Sequence, residues 1–175
     1  MNPVPMSTSE TLCAICNSFA DIWEIVEEME QEGVALEGLS LVGLSPDSGD
    51  HVVGLFHTRG KTSSLGLSSY DIWSHLSDVG LFVVPSKGPV VVAGPLVEIL
   101  VSTVRTVRKT NHTGGHSLVG AALLELGAKK ERLHHFDTAI RAGEVVIAYR
   151  GETAEVERVR ALLQPRRTVY FERRE

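Results

Sequence analysis

The segment VGLFVVPSKGPVVVAGPLVEILVSTV, residues 79–104, determines which fold the chain can adopt. It is strongly apolar, but three prolines interrupt it, and Lys87 and Glu98 place charges inside it. An uninterrupted apolar run of about 18 residues or more would predict a membrane-spanning helix, whereas prolines prevent a continuous helix. We therefore predict a connector within a folded domain, with short strands at 81–84 and 90–93 and a helix at 95–108 that begins after proline.

Two units of alternating strands and helices flank this connector. On the N-terminal side, a strand is predicted at 11–17, and an amphipathic helix begins after Ser18 and ends near Gly33. A strand at 36–44 completes this unit, because apolar residues alternate there with small or polar ones. On the C-terminal side, the periodicity predicts helices at 117–127 and 128–143 with Gly127 and Gly143 as stops, a strand at 144–151, a helix at 152–164 and a strand at 168–172.

These elements predict an α+β fold, either ferredoxin-like or a related two-layer sandwich, with helices on one face of an antiparallel or mixed sheet. The apolar connector, punctuated by glycine and proline, is then a central insertion. We expect a flexible N-terminus at 1–10 and a single domain at 11–175, with halves at 11–44 and 117–172 and the connector at 79–110. A further strand candidate lies at 51–58 and a short helix candidate at 70–76.

The charged residues are unevenly distributed along the chain. Residues 1–50 contain ten Asp or Glu and no Lys or Arg, whereas the remaining 125 residues contain 17 basic and 12 acidic residues. A solvated acidic helix face explains the first part, and attraction between the acidic and basic parts of neighbouring subunits is the alternative. The net charge of −5 and an aromatic content of 6% argue against nucleic-acid binding.

The start of the chain and its cysteines predict a cytoplasmic protein. MNPVPMSTSE lacks the basic start and the apolar stretch of a secretory signal. Cys13 and Cys16 form a CxxC sequence, but they fall inside a predicted strand, where residues three apart point to opposite faces. Buried thiols are therefore favoured over a redox pair or a metal site.

The chain resembles a bacterial family of general stress proteins, also described as heat-induced stress proteins of unknown function. The resemblance lies in VPSKGPVVVAGPL and in GGHSLVGAALLELGAKKERLHHFDTAIRAGEVVIAYRG, with Phe136 where that family usually has tyrosine. It covers 79–163 well and 11–44 weakly. It implies a small domain linked to stress or to membrane-associated assemblies, and it implies no reaction, cofactor or catalytic residue.

A histidine cluster raises the question of a metal. His112 and His116 have HxxxH spacing, and His134 follows on a predicted helix, so these three are the candidate metal ligands. A zinc site needs three or four ligands, and Asp137 or a thiol would have to complete this one. Two glycines between His112 and His116 favour a loop, so histidines without a metal are the default. We predict no cofactor.

The loop before the helix at 117–126 is the best candidate for binding a small anion. Glycines and hydroxyl groups precede the helix there, and free amides at a helix start favour anions. The candidate ligand-binding residues are Thr113, Gly114, Gly115, Ser117, Arg105 and Arg108. No nucleotide-binding fingerprint and no GxSxG sequence occurs, so neither a nucleotide-binding enzyme nor a serine hydrolase is supported.

Three functions follow from these observations. The preferred hypothesis is a non-enzymatic interaction, scaffold or accessory protein that associates with itself or another protein and has a role in stress. It rests on the apolar connector, which a small sheet would leave exposed, and membrane association without a transmembrane span stays open. The alternatives are a small-anion or metabolite-sensing domain and, least favoured, a metal-dependent enzyme using the histidines. The candidate interface residues are Phe82, Val84, Val91, Leu96, Ile99 and Leu100.

Overall fold

A seven-stranded antiparallel sheet with helices on both faces organises the chain in a computed structural model. The structure describes residues 9–45, 56–58, 78–84, 87–110, 115–165 and 168–172. The strands are β1 (Ser9–Cys16), β2 (Leu39–Leu44), β3 (Phe56–Thr58), β4 (Val79–Val84), β5 (Gly88–Ala93), β6 (Val145–Glu152) and β7 (Thr168–Glu172). The helices are α1 (Phe19–Gln31), α2 (Leu96–Thr110), α3 (Leu118–Leu126), α4 (Leu133–Arg141) and α5 (Thr153–Leu163).

Four strands and two helices form a ferredoxin-like core, as the sequence predicts. The strand order across the whole sheet is β3-β4-β5-β2-β6-β1-β7, so the β1-α1-β2 and β6-α5-β7 units interlock. β1 lies between β6 and β7, with Leu12 opposite both Tyr149 and Phe171. This is the split βαβ arrangement, and it confirms the α+β fold class. The strand predicted from residue 11 begins at Ser9.

The described residues between β2 and β6 are called the insertion from here on. They include the connector together with β3, α3 and α4, and they enlarge both the sheet and the core. The predicted strands on either side of the SKGP turn form a hairpin, in which Val84 pairs with Gly88 and Val79 with Ala93. β5 continues the sheet by pairing with β2, and β3 pairs with β4 at the outer edge. The helix predicted after Pro95 is α2. The helix predicted at 70–76 lies outside the described residues.

The helical layer predicted for one face is formed by α1 and α5, and the insertion adds a second layer on the opposite face. One apolar cluster joins α1 and α5 to the side chains on one face of the sheet, including Leu12 and Cys16. The other cluster joins α2, α3 and α4 to the side chains on the opposite face, including Cys13. Because side chains alternate along a strand, Cys13 and Cys16 lie on opposite faces, as predicted. Both are buried thiols.

The connector residues predicted at an interface belong to the core of this chain, which corrects that expectation. The connector itself supplies β4, β5 and α2, and their apolar side chains cover one another and the neighbouring sheet. The residues concerned are Phe82, Val84, Val91, Leu96 and Leu100, each at most 3% exposed, together with the partly buried Ile99. Of the described helices, none is long and apolar enough to cross a membrane.

Tyr149 ties β6 to the segment that leads into β2. Its ring is 1% exposed, and its hydroxyl donates a 2.8 Å hydrogen bond to the carbonyl oxygen of Ala35. Burial, and then the negative charges of Glu155 and Glu37, raise the pKa of Tyr149 from 10.0 to about 12. All of these influences oppose formation of the phenolate in the folded chain.

We expect Tyr149→Phe to change how stability responds to alkaline pH. Between pH 10 and 12 the unfolded chain releases the tyrosine proton while the folded chain retains it, so stability falls as pH rises through this window. One such proton changes the free energy of unfolding by at most about 1.4 kcal/mol per pH unit. Urea unfolding of both proteins from pH 8 to 12 measures this. The variant should decline less steeply, and equal slopes would contradict the shift.

At neutral pH the same variant tests the hydrogen bond separately. Phenylalanine fills the ring site but leaves the Ala35 carbonyl without its donor. We expect a loss of about 1 kcal/mol in the free energy of unfolding, which is typical of one buried hydrogen bond.

Candidate functional site

A cavity lies where α3 begins beside α4, on the face of the sheet that the insertion covers. Its volume is about 590 Å³, within the range of pockets that hold small molecules. Residues 115–117, just before α3, form one wall, and the 3-10 turn at Lys130–Arg132 with the first turns of α4 forms the other. The lining residues are Gly115, His116, Ser117, Lys130, Glu131, Leu133, His134 and Asp137.

Ser117 fixes the start of α3 and links it to α4. Its hydroxyl oxygen accepts a 2.9 Å hydrogen bond from the amide of Gly120, which is the usual role of serine at an N-cap. The same hydroxyl donates a 2.7 Å hydrogen bond to Oδ1 of Asp137 on α4. A Cβ atom at position 120 would lie 3.1 Å from the Ser117 hydroxyl oxygen and 3.7 Å from Oδ2 of Asp137. Glycine at position 120 thus leaves room for the hydroxyl that caps α3, whereas the distance to Asp137 is that of an ordinary contact.

A buried lysine lies behind the cavity wall. Nζ of Lys87, in the β4–β5 turn, is 2.9 Å from Oδ1 of Asp137. The Lys87 side chain is 0% exposed and that of Asp137 is 21% exposed. The approach lacks the geometry of a hydrogen bond, and Nζ makes no other hydrogen bond to the residues that the structure describes, so the contact is one between charges. Lys87 therefore balances the charge of Asp137 while the carboxylate remains at the cavity wall.

Other polar side chains around the cavity are unengaged. His116, Lys130 and His134 make no hydrogen bond or ion pair within the part of the chain that the structure describes. The ring of His134 only packs edge-on against His135, with centroids 6.3 Å apart. Two imidazoles, one ammonium and the positive end of the α3 dipole thus provide donors for a ligand, while Glu131 adds a negative charge beside Lys130.

The arrangement is suited to binding rather than to nucleophilic chemistry. The hydroxyl of Ser117 is the group in the cavity that most resembles a nucleophile. It caps α3, however, and donates a hydrogen bond to the carboxylate of Asp137. A serine nucleophile requires instead a base that accepts this proton and passes it on. Donors together with the acceptors Asp137 and Glu131 around one cavity are the features of a polar ligand site.

The structure brings together part of the predicted anion site. Gly115 and Ser117 line the cavity, whereas Arg105 is exposed on α2 and does not. Thr113, Gly114 and the side chain of Arg108 lie outside the described residues.

Two of the three predicted metal ligands, His116 and His134, line the same cavity. His112 lies outside the described residues. Among the residues that are described, no three His, Cys, Asp or Glu side chains are grouped so that they could hold a metal ion. The three-histidine site stays a prediction.

The sequence contained signals for four site residues that the anion prediction missed. Lys130, His134 and Asp137 recur at spacings of four and three, which places them on one side of a helical segment. Lys87 interrupts an apolar run, and a lysine that is fully buried nearly always has a charged partner. Asp137 was considered only as a completing metal ligand, and nothing local in the sequence pairs it with Lys87, 50 residues earlier.

Comparisons of the chain with protein-family models, curated proteins and solved structures find no match. The resemblance to the general stress protein family therefore stays a prediction.

Proposed function

We propose that this chain is a ligand-binding domain that takes a small organic anion into the cavity between the start of α3 and α4. The observation that supports this proposal is the set of unengaged donors around the cavity, His116, Lys130 and His134. Polar side chains that converge on a pocket of this size are the usual basis of ligand orientation. The proposal makes the chain a sensor or accessory domain rather than an enzyme.

Hydrogen-bond donors near Lys130 and His134 favour an anionic group there. Lys130 supplies an ammonium group. Among the first amides of α3, that of Gly120 donates to the Ser117 hydroxyl, and the others have no acceptor within the helix. The negative charge of Asp137 is balanced by Lys87 from behind. A carboxylate or phosphate near Lys130 and His134 would thus meet hydrogen-bond donors, against the opposing charge of Glu131, which also lines the cavity.

The self-associating scaffold predicted from the sequence has lost its main support. That hypothesis assumed that the connector leaves apolar surface exposed, whereas its residues pack within the chain. Leu124 is the one large apolar side chain that is clearly exposed among the described residues, and a single such residue is ordinary for a protein surface. Self-association therefore needs a different basis, and ligand binding is the better supported function.

Calorimetric titration with inorganic phosphate, acetate and succinate tests the proposal. We expect at least one of these anions to bind the wild-type chain, and the double variant Lys130→Ala/His134→Ala to bind it at least about tenfold more weakly. Two charge-assisted contacts readily account for such a factor.

The neighbouring pair Lys129→Ala/His135→Ala is the matched control. It removes the same residue types from exposed positions that do not line the cavity. We expect its affinity to remain within about twofold of wild type, since surface charges at a distance are screened by salt. Equal losses in both double variants would show that the anion binds through general charge, and the cavity would then not be the site.

A further inference from the structure

Only one oxygen of the Asp137 carboxylate accepts a hydrogen bond within the described chain. Oδ1 accepts the hydrogen bond from Ser117 at 2.7 Å and lies 2.9 Å from Nζ of Lys87. Oδ2 makes no hydrogen bond within the described chain, although the side chain is 21% exposed and lines the cavity. A carboxylate has about four acceptor positions, so this side chain retains unused acceptor capacity at the cavity wall.

Charges of both signs therefore line the wall formed by the 3-10 turn and α4. Lys130 lies in the 3-10 turn, next to Glu131, and Asp137 lies seven residues further on in α4, a rise of roughly 10–12 Å at 1.5–2.0 Å per residue. The donors His116 and His134 line the same space. A simple anion would use the donors and leave the free oxygen of Asp137 facing a negative group or water.

We infer that the ligand of this cavity is bifunctional, with an anionic group for the donor side and an amine for Oδ2 of Asp137. The inference rests on the proposed function and specifies its ligand class as small amino acids. An ammonium group matches a carboxylate in charge and supplies up to three donors. Lys87 and Ser117 hold the carboxylate by its other oxygen, so its orientation is fixed before the ligand arrives.

Pairs of probes that differ only in the amine test this inference. Glycine, β-alanine, 4-aminobutanoate and 5-aminopentanoate are compared by calorimetry with propanoate, butanoate, pentanoate and hexanoate, in which a methyl group replaces the ammonium. The series varies the separation of the two charged ends, as the distance between Lys130 and Asp137 requires. We expect at least one amino acid to bind about tenfold more tightly than its methyl counterpart.

The double variant Lys87→Met/Asp137→Asn shows whether Asp137 is responsible. It removes the carboxylate charge without leaving a buried lysine unpaired, and its thermal unfolding is recorded to establish that it is folded. Its preference for the amine should fall at least fivefold, whereas Lys129→Met, which replaces an exposed lysine outside the cavity, should retain the full preference.

The outcomes separate the two proposals. If the methyl carboxylates bind as tightly as the amino acids at every length, the inference is overturned and the anion site stands. A preference that persists in the folded double variant also overturns it, because the amine is then recognised elsewhere. If none of these probes binds, and neither phosphate, acetate nor succinate does, the inference fails together with the proposed function.

Discussion

Replacing Gly94 with alanine is expected to lower the free energy of unfolding by about 3 kcal/mol or more. Gly94 joins β5 to α2 with a φ of +78°, a conformation that costs an L-residue about 1–2 kcal/mol. A methyl group there would also overlap the carbonyl oxygen of Leu39 and lie 3.1 Å from the Cα atom of Ser40. Because these are backbone atoms of β2, no side-chain rotation can relieve the overlap.

The surroundings of Gly94 explain why the overlap cannot relax locally. Its amide donates a 2.8 Å hydrogen bond to the carbonyl oxygen of Asp78, just before β4. Two residues later, the amide of Leu96 donates a 3.1 Å hydrogen bond to the buried hydroxyl of Ser40. Moving the turn away from β2 would therefore strain both bonds at the start of α2.

Gly33→Ala is the matched control for this prediction. Gly33 follows α1 with a φ of +67°, and a Cβ atom built on it meets nothing within 4 Å. It should lose only the cost of the left-handed backbone conformation, about 1–2 kcal/mol. Equilibrium unfolding in urea measures both variants. Similar losses would mean that the close approach of Gly94 to β2 adds nothing, and the account of this turn would be wrong.

The ferredoxin-like core was predictable because its signals are local. Alternation in β1 and β2, the apolar periodicity of α1 and the cap at Ser18 each depend on residues close together in sequence. The cap is present as predicted, since the hydroxyl of Ser18 accepts a hydrogen bond from the amide of Asp21. Even the hairpin around the SKGP turn was indicated by proline and glycine.

The insertion's place in the fold was not predictable in the same way. Its apolar residues identify it as buried, but they do not tell whether the chain itself or a partner buries them. That depends on β5 pairing with β2, and on α2 to α4 covering the second face of the sheet. Contacts between distant parts of a chain leave no periodic signal in one sequence, so a packed layer was mistaken for an exposed connector.

In the candidate site, too, local features were predictable from the sequence and contacts between distant residues were not. The loop before α3 was identified from its glycines and hydroxyl groups, and Gly115 and Ser117 do line the cavity. The pairing of Lys87 with Asp137 required the β4–β5 turn to reach α4 across the second layer, a tertiary relation. Lys87 was noticed as a charge that argues against a membrane helix, and its burial gives that charge a structural role.

The Lys87–Asp137 pair should respond unequally to loss of either partner. Asp137→Asn leaves an ammonium that is 0% exposed without a counter-charge, and we expect the free energy of unfolding to fall by about 3–5 kcal/mol. Lys87→Met leaves a carboxylate that is 21% exposed and still accepts from Ser117, so its loss should be about 1–2 kcal/mol. Urea unfolding of both variants measures the difference.

The double variant completes a thermodynamic cycle that measures the interaction energy between Lys87 and Asp137. Lys87→Met/Asp137→Asn should be more stable than Asp137→Asn alone, because the methionine removes the buried charge that the asparagine cannot balance. Lys129→Met controls for loss of a lysine at an exposed position and should change stability by less than about 0.5 kcal/mol. If the two single variants lose equal stability, or if their losses simply add, Lys87 is not held by Asp137. The carboxylate would then lack the fixed orientation on which recognition of an amine depends.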